Sequence, residues 1–205
     1  MTELKLKLLF SKLEDNGDQH FRGQIIQRTT DSNKETKILK RYTFDTLDAL
    51  DKTMPEIKEL CDTNNARFYL NPNVKSYKAI GFDLLERTAQ NLKNENYKAM
   101  RAMYDSVADV NKGIRDKQYW ILDIDTKDEL AYTYITKNLN IDFKDSIEVN
   151  TKNGKHILIR PQQLYFDIKN IKTFMFTEVK KNAMTLLYWA GKDKPAPKEK
   201  KVLLG

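Results

Sequence analysis

The sequence predicts an α+β protein: a sheet layer with helices over one face, preceded by a small N-terminal β-rich module with one helix. Three observations carry this. From residue 66 onward, apolar runs of strand length alternate with amphipathic helical stretches, in the order strand, long helix, strand, helix, two strands, short helix, two strands. Before that point, residues 21–28 (FRGQIIQR) and 37–44 (KILKRYTF) read as strands joined by a polar loop. A 205-residue chain with 40% hydrophobic residues, 7 Gly and 5 Pro is neither fibrous nor disordered, and it can bury one well-packed core.

Taken in order, residues 2–13 (TELKLKLLFSKL) alternate Leu4, Leu6, Leu8 and Phe10 with Lys5, Lys7 and Leu9, which predicts a strand, with a helix through Leu6, Leu9, Phe10 and Leu13 as the alternative. Gly17 and Asp18 end it, and His20 falls in a polar loop with no assigned role. Residues 46–62 are helical, with Leu47, Leu50, Met54, Ile57 and Leu60 on one stripe and Pro55 as a kink or a fresh start. Residues 66–71 form a strand ended by the turn chemistry of Asn71, Pro72 and Asn73. A long helical region covers 76–110, with Ile80, Leu84, Leu85, Thr88 and Leu92 on one stripe. Residues 119–126 (YWILDIDT) are a buried strand, and 127–138 a helix with Leu130, Ala131, Tyr134 and Ile135 inward. Residues 146–150 and 156–160 form a hairpin about Asn153 and Gly154, since Asn-Gly favours a two-residue turn. Residues 161–167 supply a helical turn. Residues 174–180 and 184–189 read as a second hairpin, and 191–201 as a loose basic tail. The division that follows is 1–65, 66–190 and 191–205.

The charge balance points to a polyanion. Net charge is +7 and pI about 9.2, which favours nucleic acid or a phosphorylated small molecule. The single cysteine, Cys61, excludes an internal disulfide and predicts a core-packing role in a reducing compartment. No run approaches the roughly 18 apolar residues of a membrane span, and no signal-peptide pattern opens the chain. The expectation is a cytoplasmic protein with no membrane partner.

The residues best suited to chemistry lie in the strand 119–126. Asp123 and Asp125 are two apart, so their side chains share one face about 6–7 Å apart along the backbone. An apolar run ending in a same-face acid pair suits oxygen ligation of Mg²⁺ or Mn²⁺. Carboxylates beside a core carry a free-energy penalty unless paired or metal-bound. His156 opens a strand after a tight turn, where Gly154 lets backbone approach a ligand closely, and the rim N–H groups suit phosphate oxygens. Glu178 sits alone in an apolar strand. Beside Asp123 and Asp125 it completes a two-metal site for phosphoryl transfer. Asp167 competes for that place. Lys155, Arg160, Lys180 and Lys181 are expected to cluster around the site. Arg67, Lys75 and Lys78 lie on the neighbouring strand and turn, and Tyr69, Tyr77 and Trp189 are the aromatics suited to base stacking.

Three pieces in this order, ILDID (121–125), GKH (154–156) and FTEVK (176–180), resemble the motifs of the archaeo-eukaryotic primase (primase-polymerase) superfamily: an apolar strand ending in DxD, a small-x-His strand, and an apolar strand with one acid. With RFYLNPNVKSYKA before the long helix and KKNAMTLLYW at the end, the match is similar to small virus- or phage-type members and spans about residues 66–190. The resemblance implies an RRM-like, split βαβ palm sheet. It implies Asp123, Asp125 and Glu178 as catalytic metal ligands for Mg²⁺ or Mn²⁺. It implies His156 as a contact to the nucleotide's phosphates. The nearby Lys155, Gly154 and Arg160 fit the same nucleotide-binding role, and Arg67, Lys75, Lys78, Lys180 and Lys181 fit a basic groove for a single-stranded template. Nucleoside triphosphates would be substrates, a helicase or other replication protein a partner, and a bacterial or virus-infected cell the setting. Glu replaces the more common Asp at the third motif. One cysteine and two histidines cannot form the zinc cluster of many primases. The alternatives are a non-catalytic nucleic-acid- or protein-binding module on the same scaffold and a metal-dependent nuclease using the same acids.

Overall fold

The computed structural model describes residues 3–28, 36–138, 146–163 and 177–190. Asp167, the end of the predicted turn at 161–167, residues 174–176 and the basic tail lie outside the described residues. The described chain is mixed α+β, with two antiparallel sheets. Among the described residues, no helix is long and apolar enough to cross a membrane.

Sheet one is built from β1 (Gln19–Arg28), β2 (Thr36–Phe44), β3 (Ala66–Leu70) and β9 (Thr185–Trp189), in the order β2-β1-β3-β9, with the two-residue β4 (Lys75–Ser76) on β1. Alternation places Phe21, Ile25, Phe44, Phe68, Leu70 and Tyr188 in the main core. Helix α2 (Leu47–Thr63) covers that side with Leu50, Ile57 and Cys61. Its start is set by Thr46, whose hydroxyl accepts from the Ala49 N–H at 3.1 Å. The helix runs continuously across Pro55, so that residue does not begin a new one. Cys61 is fully buried, and burial pushes its thiol up to about 12.

Sheet two contains β5 (Trp120–Ile124), β6 (Ile147–Asn150), β7 (Lys155–Ile159) and β8 (Thr177–Lys181), in the order β6-β7-β5-β8, every pair antiparallel. Helix α5 (Glu129–Asn138) joins β5 to β6 and packs Ile135 and Tyr132 on the face of Leu122, Ile124, Ile157 and Ile159. The opposite face, with Ile121, Leu158, Ile147 and Val149, belongs to the main core shared with sheet one. An Asx turn sets the entry to β5. Asn71 Oδ1 accepts from Asn73 N–H at 3.0 Å, and Asn73 Oδ1 accepts from Tyr119 N–H at 2.6 Å. Helices α3 (Tyr77–Lys93) and α4 (Met103–Val110) form a separate small cluster around Ile80, Met103 and Val107.

Several expectations are corrected. Residues 3–10 form helix α1, not a strand: Leu9 and Phe10 are buried, whereas Leu4 and Leu8 lie in solvent. The region 76–110 breaks after α3, where Glu95 takes φ 54°, and resumes as a 3₁₀ turn and α4. Leu85 and Leu92 are exposed on α3, as are Leu130 and Tyr134 on α5, where Ile135 turns inward as expected and Tyr132 joins it in place of Tyr134. Strands β8 and β9 are not a hairpin. Asn182, at φ 48°, lets the chain leave sheet two for sheet one. The division at residue 65 therefore cuts sheet one, because β3 and β9 both hydrogen-bond within the N-terminal sheet.

Candidate functional site

Asp123 sits on the central strand of sheet two, directly across from His156 on β7 and Glu178 on β8. Cross-strand partners share a face, so these three side chains form one row. Asp123 is only 6% exposed and lies on a face otherwise filled by Ile121 and Leu158. Such a carboxylate needs compensation. Lys180, two residues beyond Glu178 and on the same face, bonds Asp123 Oδ2 at 2.5 Å and reaches Glu178 at 3.4 Å. On the other side His156 Nε2 stands 3.2 Å from Asp123 Oδ1. That approach is not aligned as a hydrogen bond, and Oδ1 is buried without a hydrogen-bond partner. Burial alone would raise the Asp123 pKa. The contacts with His156 and Lys180 outweigh it and hold the carboxyl below its usual range. Burial would lower the Lys180 pKa, and Asp123, aided by Glu178, raises it above the ordinary lysine value.

His156 is held from behind. Its Nδ1 lies 3.1 Å from the hydroxyl of Thr185, a residue of β9 in the other sheet. The chain Thr185–His156–Asp123 has the order of a nucleophile, base and orienting acid. Thr185 is fully buried, so its hydroxyl serves to fix the ring and not to attack a substrate. Nothing in the local sequence singles out Thr185, because the residue that uses it belongs to another sheet.

Between the sheets lies a cavity of about 340 Å³, within the size range of small-molecule sites. Asp123, His156 and Lys180 form one wall. Arg67 and Tyr69 of β3, with Leu186 of β9, form the other. Asp125, just past the end of β5 and exposed, lies at the lip beside Lys152 and Asn153 of the β6–β7 turn. Glu178 does not line the cavity, and its side chain is 69% exposed. Asp123 and Asp125 offer carboxylate oxygens, the donors that hard divalent cations take. The unpartnered Oδ1 of Asp123 is the observation that fits such an ion. Among the described residues, no three acid, histidine or cysteine side chains are already gathered at metal-binding distance.

Other predicted residues fall elsewhere. Lys155 neighbours His156 in sequence and therefore points to the opposite face. There its ammonium meets Glu148 at 3.2 Å and Glu129 at 3.4 Å, 3.9 Å from the Tyr132 ring centre. Lys181 shares that opposite face and lies 4.3 Å from the Trp120 ring centre. Gly154 is bare because of the protein's own chain. A Cβ there would run into the Ile124 carbonyl oxygen and lie 2.8 Å from the Thr126 nitrogen and 3.1 Å from Asp125 Cα, so its closeness serves the DxD strand and not a ligand. Arg160 is exposed at the far end of β7, roughly 13 Å along the strand from His156 at about 3.3 Å per residue. Lys75 is fully buried and donates to the Asn111 carbonyl, and burial pushes its pKa down to about 8, so it cannot contact template. Lys78 is exposed in the first turn of α3 and is not part of the cavity wall. His20 lies inside β1, fully buried and stacked at 4.0 Å on Tyr77, not in a loop.

Comparison with family models, curated proteins and solved structures finds no match to this chain.

Proposed function

We propose that the protein is a metal-dependent nucleotidyltransferase of primase-polymerase type, acting with nucleoside triphosphates on a single-stranded template. The observation that carries the reading is the row His156–Asp123–Glu178, one residue from each of three adjacent strands, with Asp125 at the end of the central one. The strand order β6-β7-β5-β8, with α5 crossing from β5 to β6, supports an RRM-like, split βαβ palm.

In this reading Asp123 and Asp125 hold Mg²⁺ or Mn²⁺, with Glu178 as the third acid. The ions supply charge neutralisation at the attacking and leaving oxygens of phosphoryl transfer. The chain's own residues do the rest. Arg67, Lys152 and His156 bind phosphate oxygens, and Thr185 keeps the imidazole aimed at the acid row. Leu186 and Met184 give the cavity an apolar wall that excludes water, and Tyr69 offers a ring to a base. A helicase or other replication protein would present the template.

The test is Mg²⁺- or Mn²⁺-dependent nucleotide incorporation on a single-stranded template. Asp123→Asn is expected to abolish incorporation and keep the fold. Unchanged incorporation in that variant contradicts the mechanism.

A second reading, a non-catalytic binding module on the same scaffold, is favoured by the outward turn of Glu178. It predicts no Mn²⁺-dependent thermal shift with a nucleoside triphosphate.

A further inference from the structure

Each oxygen of the Asp123 carboxylate has a neighbour on the shared face. Oδ1 is buried against His156, and Oδ2 is bonded to the Lys180 ammonium, which also reaches Glu178 at 3.4 Å. Alternation along β8 puts Glu178 and Lys180 on one face, and the pairing of β8 with β5 puts that face beside Asp123. The lysine is thus a fixed consequence of the register, set between two of the three acids proposed to hold metal. We propose that Lys180 is a resident counter-cation of the acid row: a divalent cation enters by displacing it, and the freed ammonium then binds the phosphate oxygens of the incoming nucleotide. The proposal rests on the metal-binding reading above and adds an order of events to it.

Two features support the exchange. The Lys180 side chain is 38% exposed and lines the cavity, so it has room to swing from Asp123 into the space where a triphosphate would lie. His156 is locked by Thr185, and Arg67 stands on the opposite wall. Among the cationic side chains lining the cavity, Lys180 is the one bonded to a proposed metal ligand with a mobile stem.

The exchange predicts changes of opposite sign in one variant. Lys180→Gln removes the competing charge and keeps a polar side chain one atom shorter. Titrated with Mn²⁺ alone, by electron paramagnetic resonance, it is expected to bind the ion about 5-fold more tightly than wild type, the equilibrium weight of one partly exposed ion pair. At saturating Mn²⁺ it is expected to bind a non-hydrolysable nucleoside triphosphate several-fold more weakly. Lys180→Arg keeps the charge and should stay near wild type in the Mn²⁺ titration, which separates charge from any packing effect. Equal or weaker Mn²⁺ binding by Lys180→Gln overturns the exchange. If Asp123→Asn still abolishes Mn²⁺ binding and incorporation, the polymerase reading survives that result. If neither wild type nor Lys180→Gln takes up Mn²⁺, both fall together.

Discussion

Gly154→Ala is the substitution whose outcome the geometry fixes most tightly. The β6–β7 turn closes on the end of β5 at this point. An added methyl would overlap the Ile124 carbonyl oxygen and approach the Thr126 nitrogen at 2.8 Å and Asp125 Cα at 3.1 Å. All three are backbone, so no side chain can swing away. Gly154 does not have a positive φ, so the penalty is steric and not conformational. Overpacking of this kind costs about 1–3 kcal/mol. With a urea m-value of about 2 kcal/mol/M, the midpoint should fall by about 0.5–1.5 M. The strand end that must move carries Asp125, so Mn²⁺ affinity should fall as well, in a protein that still folds. Gly81→Ala is the matched control. It lies inside α3 with nothing within 4 Å of its Cβ position, and alanine there should stabilise by about 0.5–1 kcal/mol. Equilibrium urea unfolding of both variants is the assay. A Gly154→Ala protein as stable as wild type, with unchanged Mn²⁺ binding, would refute the reasoning about how the turn holds the acid strand.

Three further outcomes follow from the same contacts. Thr185→Val leaves His156 Nδ1 buried without its partner and should cost about 1–3 kcal/mol in urea unfolding, and Thr185→Ser should recover most of it. Asp123 has a depressed pKa, so its stabilising contribution is present above the unfolded value of about 3.9 and disappears as pH falls through the folded value. The stability gap between wild type and Asp123→Asn should close as pH falls below the usual carboxylate range, as followed by denaturant titration. His20 is buried neutral: burial first, and then the charge of Arg22, bring its pKa from 6.5 to about 4. The unfolded chain binds the extra proton in that window, so wild-type stability should fall between pH 6.5 and 4. His20→Phe should flatten that slope, and an unchanged slope would contradict the assignment.

How far the sequence reveals this arrangement depends on the range of the interaction. Strand β5 is legible because an apolar run of strand length ends in two acids, and β7 because Asn153 and Gly154 mark its turn. Alternation applied to neighbours is just as informative where it is followed. It puts Lys155 opposite to His156, and Lys181 opposite to Lys180, so grouping those lysines around one site ignored the pleat. Alternation misleads in 2–13, where Leu and Lys take turns on a helix that buries Leu9 and Phe10. Leu6, and Leu13 just past the helix end, pack partly against the core, the helical face the spacing also offered. What no local pattern supplies is register and sheet membership. Two strands separated by three residues read as a hairpin, yet β8 mixes half-buried and exposed residues whereas β9 is almost wholly buried, because each completes a different sheet. The same gap hides Thr185 and the pairing of Lys180 with Asp123. Their roles exist only once β9 reaches His156 and β8 lies against β5.

The most direct measurement is a crystal structure with Mn²⁺ and a non-hydrolysable nucleoside triphosphate, read from the manganese anomalous signal. A peak is expected about 2.0–2.2 Å from carboxylate oxygens of Asp123 and Asp125, with the phosphates lying toward Arg67 and His156. A nucleotide bound away from the cavity between the sheets, or no manganese at the Asp123 carboxylate, would contradict it.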